Sequence, residues 1–177
     1  MMVLVCWGMT ARIAISSKIE DARARSIFRT LKNLFPAAAL NSVAVSTSYT
    51  LDAKLSAKDI ERAAVRLASP TIERFSATGV LAPPKWSYAF EIGYLPGVTD
   101  NLGRTVQETI EDCLSRKFHE GETVYSSSII FLDGDLDKAL VERFARELHN
   151  PLIERATIFE AGEEFPMVVP KVELYGE

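Results

Sequence analysis

The sequence predicts an α+β protein built from two tandem β-α-β-α-β units. Three observations carry that expectation. P-T-I-E-R at residues 70–74 returns as P-L-I-E-R at residues 151–155, an offset of 81 (151 − 70). The same offset lays Ile60–Pro70 over Val141–Pro151, where Glu61, Arg62, Ala64 and Leu67 meet Glu142, Arg143, Ala145 and Leu148. Upstream it slips by about two and sets D-A-R-A-R-S-I (Asp21–Ile27) over D-N-L-G-R-T-V (Asp100–Val106), the kind of length change that loops tolerate.

Each unit opens on period-two alternation, which marks a half-buried strand: Arg12–Ser16 in the first and Tyr88–Tyr94 in the second. A helix follows. Ile27, Phe28, Leu31, Leu34 and Phe35 form one apolar stripe, as do Val106, Ile110, Cys113 and Leu114, with Thr99 or Asp100 placed to cap the second helix. Pro36 stops the first helix, and extended stretches come next at Ser42–Leu51 and Thr123–Leu132, the latter rich in β-branched and aromatic residues.

Ser56 with Asp59 forms a capping-box signature for a helix that turns Ile60, Ala64 and Leu67 inward. Its counterpart is expected after Asp133-Gly134-Asp135 and buries Leu140, Val141, Phe144 and Leu148. Pro70 and Pro151 end these helices, and Ile72 and Ile153 are expected to begin the last strands. In the repeat, Glu73, Arg74, Glu154 and Arg155 read as surface charges. Phe28, Leu31, Ile110, Phe144 and Leu148 read as core.

Helices segregated on one face of an antiparallel sheet make each unit ferredoxin-like, and tandem copies imply a pseudo-twofold axis. The expected organisation is a divergent first repeat at 10–78, a short stiff linker at 79–86, a second repeat at 87–160 and a tail at 161–177. The opening M-M-V-L-V-C-W-G-M-T lacks the basic region and cleavage site of a signal peptide. It reads as a ragged start, at Met1, Met2 or Met9, ahead of a fold that opens near Met9 or Thr10.

At 177 residues, with 47% hydrophobic and 25% charged residues, the composition is that of an ordinary soluble domain. A net charge of −4 gives no support to nucleic-acid binding, and no segment is apolar enough to span a membrane. Two cysteines, Cys6 and Cys113, are too few for a disulfide framework, which points to a reducing cytoplasm.

Candidate chemistry is sparse. His119 and His149 stand without partners at ligand or triad spacing. Cys113 lies on a helix stripe, and Ser126-Ser127-Ser128 sits in a strand without a nucleophile elbow. The acids of Asp133-Gly134-Asp135-Leu136-Asp137 fail as a calcium loop, because Lys138 and Phe144 stand where glycine and glutamate are required; they fit a helix N-terminus instead. No catalytic, cofactor-binding or metal-ligating set is expected. The turn Pro96–Arg104 joins a strand to a helix N-terminus with two glycines. It reads as a tight turn with a close helix–strand approach rather than a phosphate loop.

Taken together, P-G-V-T-D-N-L-G-R-T-V-Q-E-T-I-E after a strand, and L-H-N-P-L-I-E-R-A-T-I at a helix exit, resemble the PurS family. This is the small subunit of phosphoribosylformylglycinamidine synthase. Pro96, Gly97, Val98, Asp100, Gly103, Asn150, Pro151, Ile153 and Glu154 match the family's turn and exit motifs. The first copy departs, with Lys18-Ile19-Glu20-Asp21 in place of the turn, Ala24 where Gly103 stands and Ser69 in place of Asn150. The resemblance implies a fused pair of units and a non-catalytic role, assembling a glutaminase with an ATP-dependent synthetase in purine biosynthesis. ATP and magnesium then belong to the synthetase partner. Pro96, Gly97, Asp100, Gly103, Asn150 and Pro151 become the candidate docking or turn residues. Met167–Leu174 is similar to the linker that leads into the synthetase region. The rival expectation is a tandem ACT-type regulatory module binding a small effector between paired units.

Overall fold

Ten elements follow in the expected order across residues 10–170, which the computed structural model describes. They are β1 (Thr10–Ser17), α1 (Ala22–Leu34), β2 (Ala39–Asp52), α2 (Ala57–Leu67), β3 (Glu73–Ser76), β4 (Tyr88–Tyr94), α3 (Asn101–Leu114), β5 (Thr123–Asp135), α4 (Lys138–Leu148) and β6 (Glu154–Glu160). The ragged start, Cys6 and the end of the tail beyond Pro170 lie outside the described residues. The protein is α+β, with four helices against one six-stranded antiparallel sheet, and this is compatible with a ferredoxin-like arrangement.

The strands lie in the order β3-β1-β2-β5-β4-β6. Exchanging the first three strands with the last three leaves that order unchanged when read from the other edge. At the centre β2 pairs with β5 from Ala39 opposite Asp135 to Asp52 opposite Thr123, with one register shift between Leu40 and Ser42. β1 is shorter than its neighbour and covers β2 only from Ser46 to Asp52.

Strand alternation sends Ile13, Ile15, Val45, Tyr49, Leu51, Phe90, Val124, Ile130 and Leu132 to one face. All four helices cover that face, in two pairs that each join the halves of the chain. Under α2 and α3, Ile60, Ala63 and Ala64 pack with Val106, Ile110 and the strand residues Ile13, Tyr49 and Val124. Under α1 and α4, Ala24 and Leu31 pack with Val141, Phe144, Phe90 and Leu132. Phe35 meets Phe144 with ring centroids 5.0 Å apart, and the Arg143 guanidinium lies over the Phe35 ring. Both cores are therefore shared between the halves.

The opposite face is polar at its centre, where Ser46, Ser48 and Thr50 are buried. These small side chains leave room for Arg12 to cross two strands. Its Nη2 donates to both carboxylate oxygens of Glu91, at 3.2 and 3.3 Å, and to the Pro166 carbonyl at 3.1 Å. Ser127 donates to the same carboxylate. The tail lies across this face, with Phe165 seated among Phe131, Phe159 and Trp86.

Helix starts follow the sequence signals. Asp21, Ser56, Asp100 and Asp137 cap α1, α2, α3 and α4, and the Ser56 and Asp59 side chains bond each other. Three expectations need correction. Asp133, Gly134 and Asp135 continue β5, because pairing with Ala39 and Leu40 extends the strand, so the acid at the α4 N-terminus is Asp137 instead. Ile72 and Ile153 lie in turns just ahead of β3 and β6 and are 45% and 40% exposed. Leu34 is 51% exposed, because at the last residue of α1 the core side of that turn is taken by the buried Leu31 and by Phe35. Of the expected core, Leu31, Ile110 and Phe144 are fully buried, while Phe28 and Leu148 are half-buried and pack on its margin.

The loop between α3 and β5 is held by Glu122. Its carboxylate accepts from the backbone N–H of Lys54 and His119, and from Arg116 Nη2 at 2.6 and 2.9 Å. Burial pushes this carboxyl up, but the two N–H groups and the guanidinium outweigh it and lower the pKa from 4.5 to about 2. A depressed carboxyl pKa stabilises the fold above its unfolded value, and that contribution is lost as the pH falls through the folded one. Glu122→Gln is accordingly expected to cost about 1.5–3 kcal/mol at pH 7. The gap from the parent protein, read from urea unfolding, should shrink below pH 4.5 and close near pH 2.

Candidate functional site

The two motifs that the sequence singles out, the turn at Pro96–Gly103 and the exit at Asn150–Glu154, meet at one corner of the sheet. Leu95 N–H donates to the Ile153 carbonyl at 2.9 Å, which docks the strand-to-helix turn on the helix exit. The first half makes the corresponding bond, Lys18 N–H to the Ile72 carbonyl at 2.7 Å, and there Lys18 Nζ also reaches the Pro70 carbonyl at 2.6 Å.

Within the turn, Gly97 takes φ +83°, a left-handed conformation open to glycine at little cost. Asp100 does two jobs. Its Oδ1 accepts from Gly103 N–H at 2.7 Å and from Ser126 Oγ at 2.8 Å, while Oδ2 accepts from Ser126 N–H. It thus caps α3 and ties that helix to β5. Gly103 is buried against the strand, and a Cβ there would lie 2.5 Å from the Val124 carbonyl oxygen. Gly103→Ala is expected to cost about 1–3 kcal/mol by overpacking, measured as a fall in the urea midpoint at unchanged slope.

At the exit, the Asn150 carbonyl accepts from Ile153 and Glu154 N–H, and its Oδ1 accepts from Leu152 N–H at 3.1 Å. The Glu154 carboxylate turns back to accept from Asn150 N–H at 2.7 Å, and Glu73 does the same for Ser69 N–H at 2.7 Å. The repeated glutamates are thus turn-closing groups rather than free surface charges, each a bond of about 1 kcal/mol. The arginines that follow them turn to the helix-free face. Arg74 Nε donates to Ser16 Oγ, and Arg155 lies beside Gly93 and Ser127.

Around this corner the protein exposes apolar surface. Leu152 is 83% exposed and Leu102 48%, and Pro96 and Pro151 are exposed beside Ile153. A cleft of about 560 Å³ opens next to the turn, lined by Tyr94, Gly97, Asp100, Arg104, Gln107 and Tyr125. Arg104 closes the turn that the sequence singles out, whereas sequence reasoning missed Gln107 and Tyr125 as cleft residues. The only signal for these two was position, Gln107 on the second turn of α3 and Tyr125 at the start of the facing strand.

Elsewhere the residues considered for chemistry stay apart. His149 Nδ1 contacts the Ala145 carbonyl of its own helix, and His119 is exposed in the loop that Glu122 holds. Cys113 lies against the Arg62 carbonyl at 3.9 Å, and Ser126–Ser128 are strand residues. Among the described residues no group of three or more His, Cys, Asp or Glu side chains converges as a metal site. No described helix is long and apolar enough to cross a membrane.

The sequence matches no family model. No curated protein is significantly similar to it.

Proposed function

We propose that this chain is a non-catalytic bridging unit of phosphoribosylformylglycinamidine synthase, of PurS kind, with its two halves arising by duplication. The reading is carried by the meeting of the two PurS-like motifs, joined through Leu95 and Ile153 into one exposed apolar corner. The duplication is supported by position. The offset of 81 that relates the two P-x-I-E-R motifs also relates α2, which starts at residue 57, to α4, which starts at residue 138. In this role the glutaminase and the ATP- and magnesium-using synthetase supply the chemistry. The chain supplies contact surface, through Pro96, Leu102, Leu152 and Ile153 in particular.

The test is reconstitution of glutamine-dependent synthesis from separate glutaminase and synthetase, with and without the chain. Activity is expected to depend on the chain, and Leu152→Asp, at a largely exposed position, is expected to weaken the effect without unfolding the protein. Synthesis that proceeds equally without the chain overturns the bridging role. Tight binding of a free amino acid in calorimetry, together with that result, would favour the ACT-type module.

A further inference from the structure

β2 is longer than the strand beside it. β1 ends at Ser17, where the chain turns toward the Asp21 cap of α1, and it pairs β2 only from Ser46 onward. Residues 39–45 of β2 therefore have β5 on one side and no strand on the other. An uncovered edge of this kind leaves alternate backbone N–H and C=O groups for another strand to take. Seven residues at about 3.3 Å each make it about 23 Å long.

This edge forms the floor of a cleft of about 420 Å³. On the helix side its wall is apolar, made by Ala24, Phe28, Val43 and Val45. On the helix-free side stand Leu81, Pro83, Phe131 and Arg74. The charges nearby are mostly matched. Asp21 is bonded to Arg23 at 2.9 Å and Glu20 to Arg25 at 3.4 Å, whereas Arg74 has no carboxylate within ion-pair distance among the described residues. In the other half, β4 covers β5 only from Ser127 to Leu132, and the corresponding cleft beside Thr123–Tyr125 is lined by the chain's own Pro170. Val168 and Pro170 also stand over Tyr125 and Ser126. In that half the chain's own apolar tail residues thus reach the space next to the middle strand.

We propose that the uncovered edge of β2 is a slot for an extended segment of a partner polypeptide, added as a strand, with apolar residues toward the helices and acidic residues toward Arg74. Main-chain bonding would supply affinity, and the alternation of side chains would supply selectivity. The slot stands on the fold alone and serves a bridging unit and an effector module alike.

Three fluorescein-labelled peptides test it by anisotropy against the full chain: alternating Val-Glu, alternating Val-Lys, and the Val-Glu peptide N-methylated at every second residue. The Val-Glu peptide is expected to bind and to shift the backbone amide resonances of Ser42–Val45. Its two relatives should bind at least about tenfold more weakly, because one loses the charge match and the other the main-chain bonds. Arg74→Glu should reverse the preference between Glu and Lys peptides, a gain that a misfolded variant cannot show. The proposal is overturned by absence of binding, by equal binding of the N-methylated peptide, or by indifference to the Arg74 substitution. It is likewise overturned if inorganic phosphate displaces the peptide completely, which would mark the cleft as a simple anion pocket.

Discussion

A fragment spanning residues 10–84 is expected to show no cooperative unfolding transition as a dilute monomer. The reason lies in who covers what. α2 rests against α3, and the strand residues beneath them include Val124 from the other half. Leu31 and Val45 are buried against Phe90, Leu132 and Phe144, which the fragment lacks. Removing these partners exposes most of two cores at once, and a chain of this size depends on burying a large fraction of its apolar surface. Circular dichroism with urea titration at low micromolar concentration gives the readout. Structure that appears only as the concentration rises would mean self-association through the surfaces that the missing half covers, among them the edge of β2 that pairs with β5. A dilute monomeric fragment that melts cooperatively would show that one half carries its own core.

Phe144→Ala is expected to cost about 3–5 kcal/mol, the range for a large aromatic removed from a packed interior. Phe144 is fully buried and its ring lies tilted against Phe35 with centroids 5.0 Å apart, so truncation leaves a cavity at the joint between α1 and α4. Phe35 also carries the Arg143 contact, so its loss of support spreads to a second interaction. Urea unfolding of the intact chain reads the change directly. A loss below about 1 kcal/mol would mean that the site collapses around the gap, contrary to its dense packing.

Local features were legible in the sequence, and distant ones were not. The Asp100 cap and the Ser56–Asp59 box depend on residues three apart, and the structure places them as expected. The repeated Pro, Ile, Glu and Arg pointed to a helix exit, yet periodicity could not show the Glu73 and Glu154 carboxylates folding back on Ser69 and Asn150. Asp133–Asp135 read as acids leading into a helix N-terminus, since aspartate and glycine are poor strand residues, but long-range pairing with β2 overrides that local preference. Arg12 and Glu91 are separated by 79 residues, and only the strand order brings them together. The corner was half legible. Both motifs stood out as turns, whereas the Leu95–Ile153 bond that makes them one surface depends on β4 lying next to β6.

The shared cores bear on how the two halves can change over time. In an assembly of identical separate chains, any substitution at a joint appears on both sides of the axis at once. A single chain holding both halves breaks that constraint, because each side of a joint is encoded separately. One corner can hold Pro96, Gly97 and Gly103 while the other carries Lys18, Glu20 and Ala24, and the two middle strands still pair across the whole centre of the sheet. Covalent linkage holds the two halves at a fixed, high local concentration, so a weakened joint between them is tolerated. Each corner of this chain can therefore change its surface without the other changing with it.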